Sequence, residues 1–409
     1  MLDWVGGAAF LLLWAFIIHR GYPVNVLVLY TGTSTSVQYL LRGGQPLFPR
    51  WTFLFELIVA VSRCITDRYG DQVIRPHWYL QLRRLSALFG DFMGGFACSK
   101  YNTEVVPVVV NGLEHLWIKA KPATSPAASA PSSANTTRFV VVYYHGGGYV
   151  ILCPRMYVEY CNTLRGAILQ ELQQTLQVEN PVVDVFIANY RKAPECKFPG
   201  PAQDAVAMYK YLVRDQGLSP RQIILAGDSA GAGLVMSTLI RLRNSDPSLL
   251  PLASMVLSPF VDMTKEPSDF VQPPHCVTSS SLIEAFRTAY LKTPQNPSTY
   301  QDASAVHCDL RGLPPVFLQA ATLDYLYGHS VRLAEKAKAD GISNWELDVH
   351  EQMPHVFALF PSFVLPYALA GVNRMAKFAA NQFHSTLKQS KKTKSQPKEA
   401  SQKFVKHAS

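Results

Sequence analysis

The pentapeptide Gly227-Asp228-Ser229-Ala230-Gly231 lies between a strand-like apolar run, residues 223–226, and a helix-like run, residues 234–242. A serine hydroxyl is a weak nucleophile, so catalysis requires that it be held clear of the backbone beside a base. A sharp turn does this, and the small residues around Ser229 relieve the crowding that the turn creates. The helix that follows directs its positive end toward the serine. The pentapeptide therefore predicts a nucleophile elbow with Ser229 as the nucleophile.

Strand-like and helix-like segments alternate on both sides of this turn. Further strands are predicted at 139–144, 182–190, 255–257, 316–320 and 345–350, and helices at 158–176, 204–213, 328–339 and 367–387. Such alternation indicates an α/β fold with a mostly parallel central sheet and helices on both faces. Earlier in the chain, two β-rich runs flank Asn111-Gly112, which predicts an antiparallel hairpin.

A glycine-rich loop, His145-Gly146-Gly147-Gly148, directly follows the predicted strand 139–144. Attack on an ester carbonyl creates an oxyanion, and backbone N–H groups must already point at it. Glycine lets the backbone approach the substrate closely. We predict that Gly146 and Gly147 donate to the oxyanion together with Ala230. His145, Gly148 and Asp228 are predicted to support these loops, and His145 is expected to brace its loop rather than transfer protons.

A serine hydrolase of this topology needs an acid and then a histidine downstream of the serine. Asp324 follows the predicted strand 316–320, and His355 follows the predicted strand 345–350. Because the carboxyl ends of parallel strands meet at one edge of a sheet, these two residues are the candidates for the acid and the base. Other residues compete for the same roles, namely Asp262 for the acid and His329 and His350 for the base.

Several motifs together resemble the hormone-sensitive-lipase family of α/β hydrolases, from about Phe139 to the final helix. They are the glycine loop, Tyr190-Arg191-Lys192-Ala193-Pro194-Glu195 with Phe198-Pro199 and Asp204, the elbow, Ser258-Pro259, Leu313-Pro314-Pro315, and His355-Val356-Phe357. The resemblance implies an α/β-hydrolase fold with a helical cap and a catalytic set of Ser229, Asp324 and His355. Membrane-anchored relatives of this kind include arylacetamide deacetylases and fungal steryl acetyl hydrolases.

The chain departs from the family pattern at two places. The family often carries Asp-Glu four and five residues after the catalytic acid, where this chain has Gly328 and His329. The family usually has Gly-Gly-Asn after the alanine of the elbow, where this chain has Gly231-Ala232-Gly233. The first change affects the support of the acid loop, and the second affects helix packing near the site.

The formal charge of +9 is unevenly distributed, because a lysine-rich segment begins at Lys388 and extends to the end of the chain. This tail is polar, has little to bury, and is predicted to be disordered. The rest of the chain is close to neutral, so nucleic acid is not expected as a partner. The seven cysteines have no metal-like spacing and indicate neither a zinc site nor a dense disulfide framework.

Residues Trp4–Ile18 form an apolar run that is followed by His19 and Arg20. A signal peptide, a membrane anchor and a buried helix are the alternatives. Because Asp3 is acidic and no small-residue cleavage site follows, we favour an uncleaved single-pass anchor. Basic residues after the run favour a cytosolic body. The sequon at Asn135 and the membrane-anchored relatives favour a body in the lumen of the endoplasmic reticulum.

The sequence is thus divided into an anchor (1–30), a helical cap or lid (31–100), a catalytic domain (101–387) and a disordered tail (388–409). Aromatic residues at helical spacing in 49–97 predict helices that either pack onto the core or meet an apolar substrate.

The predicted function is serine-dependent hydrolysis of carboxylic esters, with acetyl esters of apolar alcohols such as sterols as the substrate class. No metal or cofactor is implied. The alternatives are a broad-specificity carboxylesterase or lipase and, from a different class, a ligand-binding protein of the same fold without turnover.

Overall fold

A computed structural model describes residues 22–122, 137–267 and 269–395. Its centre is an eight-stranded sheet of order β1-β2-β4-β3-β5-β6-β7-β8. The strands are β1 (Thr103–Val110), β2 (Leu113–Ala120), β3 (Thr137–Tyr144), β4 (Pro181–Ala188), β5 (Ile223–Asp228), β6 (Ala253–Leu257), β7 (Val316–Leu323) and β8 (Glu346–Pro354). β2 pairs antiparallel with β1 and β4, and all other neighbours are parallel. The mostly parallel sheet predicted from the sequence is confirmed.

Nine α-helices occur in the described ranges. They are α1 (Tyr22–Leu41), α2 (Phe53–Tyr69), α3 (Pro76–Tyr101), α4 (Val158–Gln170), α5 (Gly200–Arg214), α6 (Ser229–Ser245), α7 (Ser280–Tyr290), α8 (Tyr327–Ala339) and α9 (Ala368–Ser395). The helices predicted at 158–176, 204–213, 328–339 and 367–387 correspond to α4, α5, α8 and α9.

Alternate residues of the central strands supply two separate hydrophobic cores. On β3, Val140 and Val142 pack with α5, α6 and α8, whereas Val141 and Tyr143 pack with α2, α4 and α9. This follows from the period of two along a strand, which turns neighbouring side chains to opposite faces. Since both faces are covered, the parallel strands are apolar on both sides, and polar function is confined to the strand ends.

The hairpin predicted at Asn111-Gly112 is confirmed. Asn111 and Gly112 have φ of 51° and 74°, and Val110 pairs directly with Leu113. Positive φ at both central residues is what a two-residue turn between twisted strands requires, and asparagine and glycine tolerate it best.

The helices before the sheet differ from the prediction at one boundary. A single helix, α1, runs through residue 30, where the sequence analysis separated the anchor from the cap. No proline or charged residue interrupts the chain after Pro23, and the turn comes only at Gly43 and Gly44, which have φ of 67° and 74°. The anchor segment Trp4–Ile18 lies outside the described residues. None of the helices in the described ranges combines the length and the apolar character needed to cross a bilayer.

Two further differences concern α7 and α9. The sequence analysis did not predict α7, whose cap Ser279 accepts a hydrogen bond from the Leu282 N–H. The last helix continues to Ser395 rather than ending at Leu387, so the prediction of disorder from residue 388 is wrong for residues 388–395. Lysine and glutamine are good helix formers, which favours this extension. Residues 396–409 lie outside the described ranges.

Candidate active site

The candidate residues meet at the carboxyl edge of the sheet. Ser229 directly follows β5, Asp324 directly follows β7, and His355 directly follows β8. All three side chains are buried, with exposed fractions of 8%, 1% and 5%. The carboxyl edge of a parallel sheet is where loops from different strands gather a site, so residues far apart in sequence lie close together here.

Ser229 is the first residue of α6 and has φ of 50°, in the left-handed region that costs a serine energy. The small neighbours predicted to permit the turn are sterically necessary. A Cβ atom on Gly231 would lie 2.0 Å from the Tyr144 carbonyl oxygen, so no side chain fits there. The Ala230 N–H lies in the first turn of α6, where backbone donors have no partner inside the helix.

Asp324 and His355 form a direct pair. His355 Nδ1 lies 2.9 and 3.0 Å from the two carboxylate oxygens of Asp324, and Oδ1 also accepts a hydrogen bond from the Leu326 N–H at 2.8 Å. A carboxylate accepts hydrogen bonds, so Nδ1 donates to Asp324 and Nε2 is the ring nitrogen left to act as the base. Within the described residues, Nε2 makes no hydrogen bond to Ser229 Oγ, and such bonds are often longer before substrate binds.

The turn after β6 connects the nucleophile to the histidine loop. The Phe260 N–H donates to the Ser229 carbonyl at 3.0 Å, and the Val356 N–H donates to Ser258 Oγ at 3.2 Å. Ser258 and Val356 both have positive φ, 44° and 49°. The Ser258-Pro259 motif therefore has a structural role, since it fixes His355 relative to Ser229.

The glycine loop differs from the prediction at one donor. The Gly146 N–H lies 3.0 Å from Asp228 Oδ1 and 3.0 Å from the Tyr157 hydroxyl, so it is engaged inside the protein. The prediction that Gly146 donates to the oxyanion is therefore wrong. Gly147 and Gly148 have φ of 103° and 59°, and no acceptor for either N–H is present in the part of the chain that the structure describes. These two amides are the donors free to bind an anion.

Asp228 connects the glycine loop to the elbow. Besides the Gly146 N–H, its carboxylate accepts hydrogen bonds from the hydroxyls of Tyr143 at 2.9 Å and Tyr157 at 3.2 Å. Complete burial raises the pKa of Asp228 to about 6, and the three donors oppose this shift. The sequence analysis missed both tyrosines, because only the folded chain brings them to residue 228.

His145 lies completely buried beneath the glycine loop. Its ring stacks on Tyr190 with 4.6 Å between centroids, and Nδ1 lies 2.7 Å from the Gly146 carbonyl oxygen. Burial, with a smaller contribution from the charge of Lys192, lowers the pKa of His145 well below its usual value. The imidazole is therefore neutral at physiological pH, and it holds the loop by packing and hydrogen bonding.

Arg83 connects helix α3, which belongs to the segment predicted as a cap, to the same loop. Its guanidinium donates to the carbonyl oxygens of Val150 at 2.8 Å and Ala193 at 2.9 Å, and it forms a bidentate pair with Glu195. The family motif around Ala193 and Glu195 thus supplies the acceptors that fix the cap helix beside the glycine loop.

The alternative acid and bases are engaged elsewhere, and the Asp262 carboxylate accepts hydrogen bonds from the Thr264 N–H at 3.0 Å and the Thr264 hydroxyl at 2.6 Å. His350 pairs with Asp348 at 2.8 Å, on the side of β8 that faces α9. His329 Nδ1 accepts a hydrogen bond from the Asp262 N–H at 3.1 Å, and Nε2 lies 2.9 Å from Glu266 Oε1. His329 thus links α8 to the loop after β6 at the place where the family often has glutamate.

The unpredicted helix α7 covers the glycine loop. The Phe286 ring packs directly on Gly148, and the Tyr290 ring stacks parallel on Tyr149 with 3.7 Å between centroids. The sequence carried a signal for this helix, because the serine cap at residue 279 is followed by apolar residues at helical spacing. These residues are Leu282, Ile283, Phe286 and Tyr290.

Known proteins share both the sequence pattern and the fold. A family described as the α/β hydrolase fold matches residues 141–359. An acetyl-hydrolase of Streptomyces hygroscopicus is 34% identical over 161 residues, which are 38% of this chain and 52% of the relative. An esterase of Acinetobacter venetianus is 30% identical over 223 residues, which are 54% of this chain and 70% of the relative. The chain therefore spans about half the length of the first relative.

Solved structures are similar over more of the chain. An esterase from the bacterial hormone-sensitive lipase family superposes with a TM-score of 0.63 at 28% identity, covering 80% of this chain and 98% of that structure. An esterase/lipase from an uncultured bacterium gives a TM-score of 0.57 at 27% identity, covering 69% and 85%.

Proposed function

Because the chain belongs to the α/β-hydrolase family and is similar to an acetyl-hydrolase and an esterase, we propose that it is a serine carboxylesterase that removes acetyl groups from apolar esters such as steryl acetates. The similarity to hormone-sensitive-lipase relatives inferred from the motifs is confirmed. The observation that carries the proposed chemistry is the buried Asp324–His355 pair at the sheet edge that also holds Ser229.

In the first half of the proposed reaction, His355 Nε2 takes the proton of Ser229 as Oγ attacks the ester carbonyl. Asp324 holds the imidazole in the required tautomer and stabilises its cation. The amides of Gly147, Gly148 and Ala230 bind the oxyanion. The tetrahedral intermediate collapses when His355 protonates the leaving alcohol, and an acyl group remains on Ser229.

In the second half, His355 removes a proton from water, which attacks the acyl carbonyl. The same three amides bind the second oxyanion. Collapse returns the proton from His355 to Ser229 and releases the carboxylic acid. The two halves use one base and one set of amides, and each proton transferred, from Ser229 in the first half and from water in the second, passes through His355.

Two observations support a small acyl group and an apolar alcohol. Ser229 is only 8% exposed, so little open space adjoins the nucleophile. Cap helix α3 exposes the large apolar side chains Leu88, Phe92 and Phe96 on one stripe, at positions 88, 92 and 96. Helix α1 similarly exposes Leu29, Tyr30 and Leu40. Exposed apolar surface of this kind favours contact with apolar ligands or lipid.

A panel of esters tests the proposal. We expect kcat/KM for p-nitrophenyl acetate to exceed that for the hexanoate and decanoate, and we expect steryl acetates to be hydrolysed. The Ser229→Ala protein serves as the blank. Equal or higher rates on long acyl chains would favour the broad carboxylesterase or lipase instead. Binding of these esters without turnover would favour the non-catalytic alternative.

From the sequence alone, we also propose that Trp4–Ile18 anchors the chain in the endoplasmic reticulum membrane with the catalytic domain in the lumen. This segment and Asn135 lie outside the described residues. In the native host, we expect a glycosidase-sensitive shift in mobility that the Asn135→Gln variant lacks. Digestion of the catalytic domain by protease added to intact microsomes would contradict this orientation.

A further inference from the structure

Two buried side chains of helix α7, Phe286 and Ile283, have different surroundings. Phe286 lies toward the glycine loop, where a Cβ atom on Gly148 would come within 2.1 Å of Cδ2 of its ring. Ile283, one helical turn earlier, lines a cavity of about 390 Å³ together with Arg287, Tyr325 and His329. Phe286 and Ile283 are buried to a similar extent, with exposed fractions of 5% and 7%.

The order of the strands assigns a direction to each substituent of the tetrahedral carbon. β3, which carries the glycine loop, lies on one side of β5, and β6, β7 and β8 lie on the other. The leaving oxygen must point to the β8 side, because His355 protonates it. The oxyanion points to the amides of the glycine loop, and the first acyl carbon is only two bonds from that oxygen, so the acyl group also lies close to this loop.

Phe286 lies against the same loop. Its ring is in van der Waals contact with Gly148, one of the two glycines whose amides are free to bind the oxyanion. The ring therefore fills space close to the carbonyl carbon, where an acyl group longer than acetyl needs room. The ring is held in place because the same helix also stacks Tyr290 on Tyr149.

We infer that Phe286 determines acyl-chain length, because its ring closes the acyl side of the site to groups larger than acetyl. This inference rests on the proposed esterase function. It assigns the selectivity to one side chain of α7 rather than to the cap helices or to the exposed apolar stripes.

The test compares kcat/KM for p-nitrophenyl acetate and p-nitrophenyl hexanoate in the full chain and its variants. Enlarging a hydrophobic pocket by the volume of several methylene groups changes the discrimination between short and long acyl chains by about 10-fold or more. We expect Phe286→Ala to raise the hexanoate-to-acetate ratio by at least about 10-fold. We expect the matched control Ile283→Ala to leave the ratio unchanged, because it removes a similarly buried side chain of the same helix that lines a cavity to which neither Phe286 nor the glycine loop contributes.

A second variant covers the possibility that alanine at 286 unfolds the helix. Phe286→Leu keeps most of the buried volume, and we expect a smaller increase of the same ratio. An unchanged ratio in folded, fluorophosphonate-reactive Phe286→Leu and Phe286→Ala proteins would overturn the inference, as would an equal increase in Ile283→Ala. Failure of the proposed function gives a different result, because the unmodified chain would then hydrolyse neither ester and would not react with the fluorophosphonate.

Discussion

Replacing Ser229 with alanine is expected to lower kcat for p-nitrophenyl acetate by roughly 10⁴- to 10⁶-fold, with a much smaller change in KM. The hydroxyl forms the covalent bond to the acyl group, so its removal eliminates the acyl-enzyme route altogether. The residual rate would come from the oxyanion amides and from binding, which the substitution leaves in place. Alanine also fits the turn, since its side chain is that of serine without the hydroxyl group.

The matched control for this experiment is Ser237→Ala. Ser237 lies on the same helix, α6, is equally buried, and donates to the Asp302 carbonyl oxygen at 2.8 Å. Loss of that bond costs about 1 kcal/mol of stability, but it removes no reacting group. We expect near-normal turnover and normal fluorophosphonate labelling from this control. Substantial turnover by the Ser229→Ala protein, or a labelled peptide that lacks residue 229, would refute the serine mechanism.

The sequence predicted those parts of the site that local chemistry determines. The elbow at Ser229 and the hairpin at Asn111-Gly112 are specified by residues within a few positions of each other, since each needs a particular backbone conformation. The positions of Asp324 and His355 after strands β7 and β8 were also predictable, because a largely apolar segment ends shortly before Asp324 and an alternating strand pattern ends shortly before His355.

The assignment of the oxyanion donors shows where sequence reasoning failed. The sequence does not distinguish three successive glycines from one another, because the direction of each N–H depends on the backbone conformation of the folded loop. Gly146 is turned inward by Asp228 and Tyr157, which lie far from it in sequence. Contacts of this kind have no local pattern, so the sequence identified the loop without distinguishing its donors.

Helix α7 illustrates a different failure. Its cap and its apolar spacing were present in the sequence, but the long segment between β6 and β7 contains few other regular elements and was not divided further. The position of α7 over Gly148 depends on aromatic stacking with Tyr149 and on packing against the cap. A helix can be predicted from its own residues, whereas its partner across the molecule cannot.

Replacing Asp228 with alanine is expected to lower kcat by about 10²- to 10³-fold, comparable to the loss of an oxyanion donor, with a smaller effect on KM. Asp228 does not touch the substrate. It positions the glycine loop through Gly146, and its removal leaves the hydroxyls of Tyr143 and Tyr157 without their acceptor. Each unsatisfied buried group costs about 1–3 kcal/mol, so the loop is expected to relax away from the geometry that binds the oxyanion.

The control is Asp262→Ala, which removes an equally buried carboxylate that follows the neighbouring strand and does not contact the glycine loop. Both variants are expected to lose stability in urea unfolding, but only Asp228→Ala should lose kcat to the stated extent. Partial recovery of kcat in Asp228→Asn, which keeps one acceptor oxygen, would support a positioning role. Equal losses of kcat in Asp228→Ala and Asp262→Ala would show that the effect is a general consequence of destabilisation.

The pH dependence of stability shows whether burial or the hydrogen-bond donors have the larger effect on the pKa of Asp228. Burial raises the pKa of this carboxyl in the folded protein to about 6, above its ordinary value of 3.8. A group of this kind contributes stability that is complete below the unfolded-state pKa and is lost as the pH rises through the folded-state pKa. We therefore expect the stability of the unmodified chain relative to Asp228→Asn to fall between about pH 4 and pH 7. A relative stability that instead rose over this range would mean that the three hydrogen-bond donors stabilise the carboxylate by more than burial costs it, and the pKa of Asp228 would then lie below its ordinary value.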